Sequence, residues 1–269
     1  MIRIAVGLEY DGTNFAGWQT QRSLRTVQGL TEAALSNVAN EAISLVCAGR
    51  TDAGVHAREQ VAHFETHAER SNRGWTLGGN TNLPPDVSIA WAREVPAHFH
   101  ARYSAEARAY RYFIYNRNAR SALTTRRATH WHRPLNADLM AEAAPHLIGE
   151  HDFSAFRSSE CQAHTPVRRL FSLSVERQGH WIAIEAVGNA FLHHMVRNIA
   201  GLLIAVGQGD NEPAWAKEVL EARDRTKAGP TAPAEGLYFW KIRYSGAFGL
   251  PSASEEGGRS AIIAGLPFA

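Results

Sequence analysis

"RRLFSLSVERQGHWIAIEAV", residues 168–187, decides what kind of sheet this chain builds. Residues 168–177 and 180–187 both read as strands, and Gln178-Gly179 between them is the turn of a hairpin. A hairpin pairs its strands antiparallel. Just beyond it, residues 192–206 carry Leu192, Met195, Val196, Ile199, Leu202, Leu203 and Val206, an apolar stripe at helical spacing. Upstream lie a helix expected over 136–148 and a strand over 107–116, where Arg108, Tyr110, Tyr112 and Ile114 share one face. A short helix near 213–222 and a last strand over 237–244 complete this half.

The first half repeats the pattern. Residues 2–10 alternate as a strand, and 27–39 form a helix with Val27, Leu30, Ala34 and Val38 on one face. Strands follow over 43–48 and 60–66, then a helix near 73–82. Pro84-Pro85-Asp86 punctuates the passage into a strand over 87–94. Two rounds of strand, helix, strands, helix and strand predict an α+β fold of two pseudo-symmetric lobes, with antiparallel sheet flanked by helices. The lobes are expected over 1–105 and 106–249, followed by a flexible Gly/Ser/Ala-rich tail over 250–269. No residue-level repeat accompanies the pattern.

The 269 residues are 45% hydrophobic and 20% charged, enough for a proper core. Net charge is only +2, but it is unevenly distributed. Arg102, Arg108, Arg111, Arg117, Arg120, Arg126, Arg127 and Arg133 fall within 32 residues that hold one acid, Glu106. Tyr103, Tyr110, Tyr112, Phe113, Tyr115 and Trp131 are interleaved with them. Cations for phosphates and flat rings for bases make this a candidate nucleic-acid surface; taken alone, such a run is more usually a solvated face. Two distant cysteines, Cys47 and Cys161, exclude a disulfide framework and point to a reducing compartment. The N-terminus runs straight into a strand, and no apolar run approaches the ~20 residues a membrane span needs. A cytoplasmic protein without membrane partners is expected.

Several motifs fail on inspection. "HFETH" (63–67) lacks the glutamate directly after the first histidine and alternates as a strand, so a solvated strand face is expected in place of zinc. His193 and His194 are adjacent and diverge on a helix. Gly78-Gly79 and Gly207-x-Gly209 match neither the dinucleotide fingerprint nor the Walker pattern. No metal or cofactor is expected.

That leaves "AGRTDAGVHA" (48–57), directly after the apolar run Ile43–Cys47. Composition alone makes Asp52 an ordinary turn residue. Its company argues otherwise: Arg50 two residues before, Gly54 two after, then His56-Ala57-Arg58. Such a loop can keep a carboxylate ionised among cations beside an anionic substrate.

"GRTDAGVHA" resembles the signature of the tRNA pseudouridine synthase A family. "EYDGTNFAGWQTQ" (9–21), "FHARYSAEARAYRYFIYN" (99–116), "GEHDFSAFR" (149–157), "NAFLHHMVRNIAG" (189–201) and "AEGLYF" (234–239) agree with it in the same order. The resemblance implies the pseudouridine synthase fold, no cofactor, transfer RNA as substrate and a homodimer. The modified uridines would lie on the 3′ side of the anticodon stem-loop, at positions 38–40. It makes Asp52 the catalytic aspartate and Arg50 the residue that displaces the target base. Tyr110 would stack on the uracil, Arg197 would pair with the aspartate, and Leu237 would floor the uracil pocket. Arg58 and Arg111 join Arg50 and Tyr110 as expected substrate contacts.

The implied reaction breaks an N–C glycosidic bond and makes a C–C bond to the same base. It is an isomerisation, which needs a carboxylate, a pocket in which the uracil can turn, and a means of extracting it. Two rivals stand beside this reading. A catalytically silent RNA-binding protein of the same fold would not need Asp52. An aspartate-nucleophile phosphotransferase would want paired acids for magnesium, and this loop offers one.

Overall fold

The computed structural model describes residues 1–251. The expected tail over 250–269 lies, from 252 onward, outside the described residues. The described residues divide into two compact units: residues 1–108 together with 238–251, and residues 109–237. The final strand therefore belongs with the first unit and not, as the sequence pattern had it, with the second.

In the first unit, β1 (Ile2–Tyr10) lies antiparallel between β3 (His56–Thr66) and β4 (Val87–Val95), with Ile4 opposite Phe64 and Val6 opposite Ala92. β10 (Leu237–Tyr244) adds on the far side of β3, pairing parallel through Tyr238 and His56. That long-range pairing is what draws the end of the chain into this unit. α1 (Val27–Ala39) starts where the Thr26 hydroxyl accepts the Gly29 N–H, and α2 (Asn72–Asn82) starts where Ser71 does the same for Gly74. α1 buries Val27, Thr31, Ala34 and Leu35, so its inner face is rotated from the expected stripe. Only Val46–Cys47 of the strand expected over 43–48 pairs, as β2 on β3. The reason lies in α1: Ser36 Oγ accepts the Ile43 N–H (2.9 Å) and Glu32 Oε1 that of Leu45 (2.8 Å), which takes both donors out of any ladder.

The second unit holds the hairpin as read. β8 (Val167–Gln178) and β9 (Trp181–Gly188) pair from Gln178–Trp181 back through Val175–Ile184, and Gly179 turns the corner at φ +57°. β7 (Gly149–Asp152) lies on β8, and β5 (Ala105–Asn116), which begins in the first unit, carries the short parallel β6 (Thr129–Trp131). α4 (Met195–Gly207) starts three residues later than expected and buries its part of the predicted stripe, Leu192 being buried just ahead of it, and α5 (Trp215–Ala222) follows. His193 and His194 therefore precede the helix and do not diverge: their rings lie 4.0 Å apart. α3 (Ala137–Ala143) is shorter than expected and passes into a 3-10 turn over Ala144–Leu147. Pro145 has no N–H to give and its ring crowds the preceding turn. The fold is thus α+β with mostly antiparallel pairing. Among the described residues no helix is long and apolar enough to cross a membrane.

His63 corrects the expectation of a solvated face at 63–67. It is buried, accepts the Ala101 N–H on Nδ1 (3.2 Å), and packs against Phe99 and His100. Burial, helped by the charges of His100 and Arg3 and opposed by Glu65, pushes its pKa down to about 4. Unfolded, it would take up a proton near 6.5. Between those values the unfolded chain binds more protons, so stability falls as the pH drops from about 6.5 towards 4. From pH 7.5 to pH 5 this one group should cost about 1–2 kcal/mol. Urea midpoints at the two pH values should show that loss in the wild type and a smaller one in His63→Gln. An equal loss in both would place the pH dependence elsewhere.

Candidate active site

The loop from Ala48 to Val55 is held almost entirely by its backbone. Val61 takes the Ala48 N–H onto its carbonyl, and Gln60 Nε2 donates to the Gly49 carbonyl (2.6 Å). The Trp18 N–H donates to the Thr51 carbonyl (3.0 Å), while the Thr51 hydroxyl meets the buried Tyr10 hydroxyl at 2.8 Å. Asp52 opens a tight turn: its carbonyl accepts the Val55 N–H, and Gly54 sits at φ +77° with its N–H on the Phe15 carbonyl. With the main chain fixed at both ends, Asp52 is left half-buried and Arg50 exposed.

The turn that follows β1 is the other half of this joint. A Cβ on Gly12 would stand 1.9 Å from the Val55 carbonyl oxygen, and one on Gly17 2.7 Å from that of Thr51. Gly17 also has φ +91°, a conformation that only glycine adopts readily. Beneath them, the buried His56 places Nδ1 3.1 Å from both the Gly12 nitrogen and Asp11 Oδ1. His56 and the Thr13 hydrogen bonds hold the Asp11 carboxyl far below the usual carboxylate range. His56 stacks on Tyr238, and Arg58, two residues on, lays its guanidinium 4.7 Å over the Trp240 ring.

In the second unit, Tyr110 and Tyr112 project from the same side of β5. Tyr110 is buried edge-on against Phe191 (5.0 Å). Tyr112 donates to the Pro233 carbonyl (2.9 Å) and meets Thr129 Oγ1 at 2.5 Å, and burial pushes its phenol above the usual tyrosine range. Leu237 is buried at the start of β10. Arg197, in the first turn of α4, is tied to Ala232 twice: its Nε donates to the Ala232 carbonyl (2.9 Å), and its own carbonyl accepts the Ala232 N–H (3.1 Å). Neighbouring Asn198 is buried, donating to the Phe156 carbonyl and accepting from Arg225 and Thr231. The helix start that carries Arg197 is therefore rigid.

The arginine-rich stretch divides in two. Arg108 is buried and donates to the carbonyls of Ala48 and Arg102, Arg111 pairs with Glu185 (2.6 Å), and Arg133 with Asp210 (3.2 Å). The first two brace the protein; the third is an exposed surface pair. Arg102, Arg120, Arg126 and Arg127 are exposed. Of the interleaved aromatics, Tyr110, Tyr112 and Phe113 are core, whereas Tyr103 stands out into solvent. Gly12, Gly17, Tyr10 and Asn198 were invisible as site residues in the sequence, since each acts through a contact made far along the chain.

The sequence profile of a family described as tRNA pseudouridine synthase matches residues 8–104 and 143–245. The chain belongs to that family. It is similar to tRNA pseudouridine synthase A of Nitrosococcus oceani, 55% identical over 253 residues that cover 94% of this chain and 98% of the relative. The protein of the same description from Methylococcus capsulatus is 56% identical over 249 residues, covering 93% and 92%, and that of Coxiella burnetii is 54% identical over 252 residues, covering 93% and 96%. The family profile takes in Asp52, Arg50 and Arg197. Its gap spans 105–142, so Tyr110 and Arg111 lie outside it and only the long pairwise similarities cover them.

For a member of this family, the Gly17–Thr51 contact gives a direct test. Gly17→Ala forces the loop to move, because the atom in the way is backbone. Turnover should fall at least about tenfold, with a stability loss of only about 1–3 kcal/mol. Initial rates together with urea unfolding would check this, and an active Gly17→Ala would mean that the contact does not set the position of Asp52.

Proposed function

We propose that this protein converts uridine to pseudouridine in transfer RNA, with Asp52 as the catalytic carboxylate. The observation that carries the reading is one acid, half-buried and pinned by its backbone, inside the "GRTDAGVHA" loop of a chain that belongs to the tRNA pseudouridine synthase family. In the reaction the N1–C1′ bond breaks and a C5–C1′ bond forms. The C5 proton is released and N1 gains one, so atoms and electrons balance without an oxidant or a hydrolytic water. Arg50, exposed beside Asp52, takes the place of the extracted base, offsetting a few kcal/mol of unstacking. Tyr110 stacks on the uracil, Leu237 forms the apolar floor, and Arg197 supplies the basic group that the family resemblance gives it.

Arg58, exposed with its guanidinium over Trp240, and Arg111, paired with Glu185, remain the substrate contacts of this reading. The exposed Arg102, Arg120, Arg126 and Arg127 join them as candidate phosphate contacts. The finer parts of the proposal are modification at positions 38–40 of the anticodon stem-loop, action as a homodimer, and a cytoplasmic location. They rest on the resemblance of the six motifs. A catalytically silent RNA-binding role has no observation in its favour.

Asp52→Asn removes the charge and nucleophilicity but little volume. Single-turnover assays on unmodified tRNA should show a loss of about a thousandfold or more, while filter binding should give an affinity within a few-fold of wild type. Turnover within a few-fold of wild type would return Asp52 to the status of a turn residue.

A further inference from the structure

Tyr103 has no part in the core and none in the catalytic roles above, yet it is 76% exposed, against 40% for Phe171, the next most exposed large aromatic among the described residues. A ring standing in water adds little to the core, and a single exposed aromatic is ordinary; how this one is held and what lies beside it are not. This one is also held in place. The His100 ring lies 4.3 Å from it at 31°, and the Arg102 guanidinium 5.7 Å from its centroid. His100 Nδ1 accepts the N–H groups of both Arg102 and Tyr103 (3.2 Å each). His100 is bound again to Ser104 through a backbone bond (2.8 Å) and through its own N–H to the serine hydroxyl (3.0 Å). The fully buried Phe99 anchors the start of this turn.

The turn is joined to the Asp52 loop by one side chain. Buried Arg108 donates to the carbonyls of Ala48, at the base of that loop, and of Arg102. The two exposed cations beside them are close enough for a shared effect. Burial pushes the Cys47 thiol up to about 12, and the charges of Arg50 and Arg102 pull against it. Glu106, the one acid of the stretch, is paired with Arg243.

We propose that Tyr103, backed by His100 and flanked by Arg102, is a platform on which an unpaired base of the RNA stacks beside the Asp52 loop. This rests on the reading of the chain as an enzyme acting on tRNA. A held aromatic face next to guanidinium groups fits a base with its phosphate: stacking tolerates any base, and the arginines meet the backbone. A protein partner would have to satisfy both cations with acids while covering a single ring.

The test compares Tyr103→Ala, Tyr103→Leu and Tyr103→Phe for affinity to unmodified tRNA, by filter binding, and for kcat and KM. Ala and Leu should weaken binding roughly five- to a hundredfold, raising KM with little change in kcat, while Phe retains the affinity. Arg102→Gln should instead lower the slope of log affinity against log salt by about one phosphate contact. Binding by Tyr103→Ala equal to wild type would overturn the platform. So would Leu performing as well as Tyr, or a change in oligomeric mass by light scattering in Tyr103→Ala, which would assign the ring to a protein contact. A wild type that binds tRNA in the Tyr103-dependent way but forms no pseudouridine would sink the isomerase reading alone.

Discussion

The contact between two glycines and the backbone of the Asp52 loop is the constraint on which the rest depends. Gly12 and Gly17 press against Val55 and Thr51 so closely that no side chain fits at either position. A short polar loop would otherwise be mobile, since it buries few apolar groups of its own. Here the loop borrows rigidity from β1 and the turn after it, through Tyr10, Phe15 and Trp18. The position of the loop is thereby set by its main chain, with Asp52 half-buried and Arg50 exposed. A carboxylate that must meet one atom of an extracted nucleotide needs that kind of fixed support.

Arginine is used in two ways within a single stretch. Arg108 and Arg111 turn their guanidinium groups onto protein acceptors, and Arg108 links the Asp52 loop to the turn at Arg102 in doing so. Arg102 and Arg120 remain at the surface. The planar fork suits both tasks, because it can satisfy several carbonyls at once or meet a phosphate. The same division runs through the aromatics, with Tyr112 locked into the core and Tyr103 held outside it.

Much of the fold was legible because its signals are local. α1 was expected over the residues it occupies, the hairpin turn falls at Gln178-Gly179, and every residue of the predicted α4 stripe is buried. What the sequence concealed depends on partners distant along the chain. The strand over 43–48 shrank because Glu32 and Ser36 claim its donors, and β10 joined the first unit through a pairing with β3 that no local pattern encodes. β6 and β7 are too short to show a period. The site divides the same way: Asp52 and Arg50 stand out in their motif, whereas the glycines that seat them are defined by contacts some 35 to 45 residues away. Charge density revealed the arginine stretch but could not tell a brace from a phosphate contact.

The central claim, isomerisation of uridine in tRNA, is tested most directly by following both halves of the exchange at C5. Unmodified tRNA carrying tritium at C5 of its uridines would be incubated with the protein in the presence of EDTA, then digested to nucleosides. The account predicts tritium release into water matched one for one by pseudouridine replacing uridine, with no free uracil and no chain cleavage. Tritium retained while the RNA is bound, or free uracil appearing without pseudouridine, would contradict it.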